Sequence, residues 1–459
     1  MRDSARYAWW LLIFLFTLLI AGNTFLFWTL FKNPTSQSLS AGDPRMGIEF
    51  QVRYVFALER FGMGKELTDQ AITEAVKAFD ESFAPYEAAL YRATLETVFG
   101  FGDPKKTLST LPDLPSENLT PPQRRWYASL WQEAFSKPIT PKQVPALIES
   151  LESVPYPFES QLLELALYQR AGDQVRANVL RESLRRQAGW SLVVLGAVIS
   201  TVGFAGLVGV VLLFMYRIKL ISFPKLPRRP APDESPFVYD PLLWALVIFL
   251  LVLLNAPAVA HTLEEMFHAD ASNVMYLLTV LLTLMYLASL REQPGALGQI
   301  RWFPGSWWKQ LGAALWGYAV YVPFLGALMV LTLLIAPALP GEQTNPISER
   351  VAESQTTLRW LWTFVQAAVL APIVEEFVFR GVLFQVLWQR TGRVWLSAFV
   401  SGYLFAVIHP QFLGGIFPIT VLGTILALVY AHTRSLLPCM LIHALNNGLI
   451  TLLLWSVAG

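Results

Sequence analysis

Apolar residues fall in long unbroken runs along this chain, and the runs define its elements. The first extends from Tyr7 to Phe31, a second from about Trp190 to Met215. Later runs lie at about 241–260, 274–290, 310–337, 358–386, 394–412, 416–432 and 436–456. Crossing a bilayer takes about 20 apolar residues as a helix, so the pattern predicts eight or nine spans. Between Lys32 and about Gln187 the chain is polar and has no such run. The expected fold class is all-α: a polytopic transmembrane helix bundle with an inserted helical domain.

The run at Tyr7–Phe31 exceeds the short apolar core of a secretory signal. It reads as an uncleaved anchor, with Ala21-Gly22 the alternative cleavage point. The expected divisions are 1–32 as anchor, 33–187 as helical domain, 188–238 as span and linker, and 239–459 as membrane bundle. Short basic loops set orientation. Arg217, Lys219, Lys225, Arg228 and Arg229 follow the second run, whereas 261–273 holds Glu264, Glu265 and Asp270 but no Lys or Arg. Alternation then puts the N-terminus in the cytoplasm and 33–187 outside it, a layout that suits a plasma membrane.

The polar region carries amphipathic stretches at 85–101, 123–136 and 158–171, broken by Gly102-Asp103-Pro104, by 137–141 and by Gly172-Asp173. Their period of about 35 residues suits tetratricopeptide-like helical hairpins, with a plain bundle as the alternative. A solenoid would give the domain a concave surface for a protein partner. Proline-rich 223–236 reads as a cytoplasmic linker.

Composition narrows the chemistry. Hydrophobic residues make up 54% of the chain and charged residues 15%, well below the roughly 25% charged of soluble proteins. Net charge is +1, so no global field points to nucleic acid. A single cysteine, Cys439, excludes an internal disulfide or a thiolate-ligated metal and reads as a packing residue. There are five histidines. His432 reads as a loop residue. His261 and His268 could join Glu264 and Glu265 on a metal, but a solvated surface is the simpler reading.

Ionisable groups inside apolar runs are costly enough to signal function. Three clusters qualify, each placed inside an apolar run: Glu375, Glu376 and Arg380; His409 after Phe405; and His443 with Asn447. Glu376 and Arg380 are four apart, so they share a helix face and can neutralise one another. Glu375 is turned about 100° from its neighbour and is free to face a cavity. His443 and Asn447 likewise share a face. Together the clusters supply a general base, an imidazole and an amide donor, enough to activate water and hold the oxyanion of a peptide carbonyl. A structural ion pair is the plain alternative for Glu376 and Arg380, and core packing for Phe405. No HExxH motif occurs, so a zincin-type site is unsupported.

The blocks Glu375-Glu376-x-x-x-Arg380, Phe405-x-x-x-His409 and His443-x-x-x-Asn447 resemble the signature of the CAAX proteases and bacteriocin-processing enzymes, the CPBP or Abi family. The resemblance covers about 355–455 and leaves out 33–187. It implies an intramembrane glutamic protease with its site in a cavity open to the cytoplasm. Glu375 would be the base on the attacking water, aided by His409. His443 and Asn447 would form the oxyanion site, with Glu376, Arg380 and Phe405 in support. The substrate would be a membrane-associated or lipid-linked peptide. Two histidines and a glutamate could ligate zinc, but the arginine and asparagine fit that less well, so no cofactor is expected. The competing readings are a non-catalytic scaffold or immunity protein using the same cavity, and an ion-coupled transporter. The latter calls for repeated halves, which the spans do not show.

Overall fold

The computed structural model describes residues 2–32, 44–82, 84–116, 119–152, 160–222, 226, 243–255, 281, 285, 302–335, 357–409 and 413–458. Outside these lie the acidic loop with His261, Glu264, Glu265, His268 and Asp270. So do most of the linker at 223–236 and most of the run at 274–290. The described residues contain helices and turns and no strand.

The chain divides into two compact units, Met1–Ala41 with Val198–Thr451, and Gly42–Ala197 with Leu452–Gly459. The second is built from α2 (Pro44–Arg60), α3 (Lys65–Ser82), α4 (Pro85–Phe99), α5 (Pro104–Ser109), α6 (Pro121–Ser136), α7 (Val144–Glu152), α8 (Ser160–Arg170) and the first part of α9 (Gln174–Arg217). Local signals start and stop these helices. Proline opens α4, α5 and α6 at a position whose N–H has no partner within the helix. Asp103 caps α5 by accepting from the Lys105 N–H at 3.0 Å. Gly100, at φ +71°, closes α4 in the left-handed conformation. From α2 to α8 consecutive helices pack pairwise, and α8 also returns onto α4. A strictly linear stack makes no contact of that last kind. The core holds Trp131 stacked on Phe135 and Phe79 stacked on Tyr91. Glu59 on α2 is clamped by Arg181 (2.7 Å) and Arg185 (2.8 Å) of α9.

The first unit holds α1 (Arg2–Lys32), the rest of α9, α10 (Leu243–Asn255), α11 (Trp307–Ile335), α12 (357–391), α13 (Val394–Val407), α14 (Leu413–Thr433) and α15 (Leu436–Ala458) as far as Thr451. Among the described residues five helices are long and apolar enough to cross a membrane: Arg6–Phe25, Gln174–Arg217, Trp307–Leu331, Gly415–Thr433 and Leu436–Val457. Many of their large side chains, including Phe14, Phe204, Phe214 and Leu331, face outward, as lipid-facing surfaces do.

One expectation needs correction. The run at 394–412 is not one helix: α13 stops at Val407. The reason lies in the sequence, since Pro410 disfavours the helical conformation in His409 and brings no N–H. His409 therefore sits just past a helix end rather than deep within a helix. Trp302 stacks on Phe377 at 5.4 Å. Its carbonyl accepts from the Ser435 hydroxyl (3.1 Å). Trp307 and Trp308 are exposed.

Candidate active site

Helix α12 carries the two glutamates and is not a uniform α-helix. It runs as Thr357–Val365, a π-helical turn at Gln366–Leu370, Ala371–Glu376, a second π-helical stretch at Phe377–Phe384, and Gln385–Thr391. Pro372 accounts for the first widening: its ring crowds the preceding turn and it donates no hydrogen bond. The Ala371 N–H reaches back to the Gln366 carbonyl, five residues earlier. The next carbonyl, that of Ala367, would look to residue 372 for a donor and finds proline. Asn447 on α15 fills the gap, its Nδ2 donating to Ala367 O at 3.0 Å. Single π-turns of this sort recur at functional sites.

Glu376 is fully buried. Its Oε1 accepts from Arg380 Nη1 and from His443 Nδ1, each at 2.8 Å. Arg380, equally buried, donates through Nη2 to the Gly423 carbonyl of α14 at 3.3 Å. Its guanidinium lies 4.5 Å from the centre of the Phe405 ring, a favourable placement for a cation. Glycine at 402 and 423 permits this arrangement. A Cβ on Gly402 would come within 2.7 Å of the Thr420 carbonyl, and one on Gly423 within 3.3 Å of Arg380 Nη2. The ion pair is thus more than local packing, because Glu376 holds an imidazole on another helix.

Phe405 stands at the centre of this group, edge-on to His443 (5.6 Å, 90°) and to His409 (4.8 Å, 68°). His409 is fixed at the end of α13 by its own backbone: Nδ1 donates to the Phe405 carbonyl at 2.8 Å, and its N–H to Ala406 O at 3.0 Å. A carbonyl only accepts, so Nδ1 of His409 carries hydrogen; Nδ1 of His443 does so too, because it faces a carboxylate. Both rings then turn Nε2 toward Glu375. The separations to Glu375 Oε2 are 3.9 Å from His409 and 3.8 Å from His443. These are too long for direct hydrogen bonds and suit a bridging water. Glu375 Oε2 is buried and has no direct hydrogen-bond partner among the described residues.

The structure therefore brings Glu375, Glu376, Arg380, Phe405, His409 and His443 into one cluster. Asn447 lies one turn beyond His443, with one amide hydrogen committed to Ala367 and its Oδ1 3.3 Å from Asn446 Nδ2. His432 is exposed in the last turn of α14. Cys439 is buried, with its thiol on the Leu426 carbonyl. One contributor escapes a search confined to ionisable groups. Asn23 of α1 donates to Val407 O at 3.0 Å, and its signal was a carboxamide inside an apolar run.

Comparison with known proteins bears on the same segment. Residues 357–449 match the family described as type II CAAX prenyl endopeptidase Rce1-like. The chain is 28% identical over 145 residues to the membrane-embedded CAAX protease MroQ of Staphylococcus aureus, covering 30% of this chain and 56% of that protein. It is 24% identical over 89 residues to the putative membrane peptidase YdiL of Bacillus subtilis, covering 19% and 36%. An uncharacterized 24.3 kDa protein of Escherichia coli is 27% identical over 181 residues, covering 39% and 76%. The chain thus spans about half of the first relative and a third of the second. No solved structure matches it.

Proposed function

We propose that this multi-pass membrane protein, whose residues 357–449 belong to the CPBP family of CAAX proteases, is an intramembrane endopeptidase using a glutamate-activated water. The observation that carries the reading is the convergence of His409 Nε2 and His443 Nε2 on Glu375 Oε2, at 3.9 and 3.8 Å. A water in that space meets a carboxylate able to accept its proton and imidazole nitrogens able to orient it.

In this reading the water oxygen attacks the peptide carbonyl while its proton passes to Glu375. His443 Nε2, when protonated, and the uncommitted N–H of Asn447 meet the oxyanion. The proton held by Glu375 then goes to the leaving nitrogen as the C–N bond breaks, giving a carboxylate and an amine. Glu376 fixes His443 through Nδ1, much as a buried carboxylate orients the histidine of a catalytic triad. Arg380 balances the charge of Glu376. The relatives' names favour a membrane-associated or lipid-linked peptide as substrate, with catalysis by the chain's own residues and no metal. The layout suits a plasma membrane, with 33–187 outside the cytoplasm.

The test compares protein termini in native-host membranes carrying the wild type or Glu375→Gln at matched expression. Products that vanish in the variant support the protease and identify its substrate. If termini match, and Glu375→Gln still rescues a deletion phenotype, the cluster is a binding site and the scaffold reading replaces this one.

A further inference from the structure

The structure assigns Asn23, on the N-terminal span, as a positioning residue for His409. The assignment rests on the protease reading for its catalytic consequence. α1 lies outside the segment that matches the family, so this contribution belongs to the longer chain.

The end of α13 shows why a partner is needed. The last carbonyls of a helix have no donors within it, and in an apolar surrounding each must still be met. His409 meets two of them, Phe405 O through Nδ1 and Ala406 O through its backbone N–H. Val407 O is the next in line, and Asn23 Nδ2 donates to it at 3.0 Å. Three successive carbonyls are thereby paired, and the two bonds that hold the His409 ring and backbone are adjacent to the one supplied by α1.

The sequence of α1 is arranged for this reach. Ala8, Leu12 and Leu15 are buried in the same core as Phe405, and Leu19 packs against it. Asn23 continues that stripe at the helical spacing of three and four residues. Lower on the same helix, the Arg390 guanidinium of α12 lies 4.8 Å from the Trp9 ring centre. Trp9 and Asn23 are about 21 Å apart along α1 at 1.5 Å per residue. The same rise gives a similar length from Arg393, at the start of α13, to Val407. α1 therefore runs beside α13 from one end to the other and grips it where His409 begins.

The experiment uses the full chain in nanodiscs with nitrogen-15 histidine, the His409 signal being identified by its loss in His409→Asn. Asn23→Leu keeps the side-chain volume and removes the donor; Asn23→Gln keeps the carboxamide and serves as the rescue. The expected result is a displaced His409 imidazole signal and pH titration in Asn23→Leu, with His432 unmoved and partial recovery in Asn23→Gln. Formation of the Glu375-dependent product should fall about 10- to 100-fold, the scale of a sub-ångström to 1 Å misplacement. An unmoved His409 signal in folded Asn23→Leu overturns the assignment. So does a moved signal with unchanged product formation while Glu375→Gln is inactive. If Asn23→Leu does not fold, Asn23→Ala, which also removes the donor and is well tolerated in a helix, takes its place with the same outcomes. If wild type and Glu375→Gln yield the same termini, the protease reading has failed by itself. The His409 signal then decides whether Asn23 positions that ring.

Discussion

Removing Arg380 alone should destabilise the protein more than removing Arg380 and Glu376 together. Both side chains are fully buried, with Nη1 and Oε1 2.8 Å apart. Coulomb's law at that distance and an effective dielectric near 20 gives about 6 kcal/mol before desolvation is counted. Losing one member of a buried pair typically costs about 3–5 kcal/mol, because the other is left charged and uncompensated. His443 Nδ1 already donates to the same oxygen, which places Arg380→Met toward the lower end of that range. Glu376→Gln strands a cation whose remaining support is the Gly423 carbonyl and the Phe405 ring, and belongs toward the upper end. The double variant holds no charge from the pair, so it should cost less than Arg380→Met alone, and the two single costs together should exceed it by about 5 kcal/mol or more. The assay is reversible unfolding of all four proteins in mixed micelles, followed by tryptophan fluorescence. Additive costs would refute the argument that the pair is one unit. Product formation in the folded double variant should still fall, because the substituted amide would accept from His443 without the charge of the Glu376 carboxylate.

Two further predictions concern the helical domain and the metal-free reading of the site. Burial alone would raise the Glu59 carboxyl, but the hydrogen bonds and charges of Arg181 and Arg185 outweigh it and hold Glu59 below its ordinary 4.5. A depressed folded value means stability that is complete above pH 4.5 and lost as pH falls through the lowered one. Glu59→Gln should therefore lower the temperature at which residues 44–197 of the full chain become protease-sensitive at pH 7, and the gap should close below pH 4.5. A gap constant down to acid pH would sink that account. Burial pushes Glu96 the opposite way, which is why the comparison is between wild type and variant rather than along one curve. Zinc chelators at neutral pH should leave the Glu375-dependent cleavage unchanged; inhibition reversed by added zinc would show that Glu375, His409 and His443 serve as metal ligands instead.

How much of this was legible in the sequence depends on the range over which each feature is encoded. The helices at Trp307–Ile335, Leu413–Thr433 and Leu436–Ala458 follow their apolar runs within a few residues, because burial in lipid selects continuous apolar stretches. The second run misses much of α9: hydropathy marks where the chain turns apolar near Trp190, while the helix starts at Gln174 in polar sequence. The Glu376–Arg380 contact was legible from a spacing of four. Its extension to His443 was not, since no local rule pairs residues 67 positions apart. The close approach of Gly402 and Gly423 was equally hidden, for small residues in apolar runs are too common to single out two.

The remaining omissions share one physical origin. Pro372 and Pro410 were visible as helix breakers, but the cost of a break depends on its surroundings. In water an orphaned carbonyl turns to solvent; inside an apolar bundle it must find a donor on the protein. Pro372 leaves Ala367 O without its expected donor, and Asn447 of α15 supplies one. The end of α13 leaves three carbonyls, and His409 and Asn23 of α1 supply theirs. Each repair ties a different helix to the vicinity of Glu375, so the breaks that interrupt the helices also fix their partners in place. Proline near an intramembrane glutamate or histidine therefore calls for a search of the other apolar runs for unpaired carboxamides. In this chain that search leads to Asn23 and Asn447, whose assigned partners are backbone carbonyls beside the site.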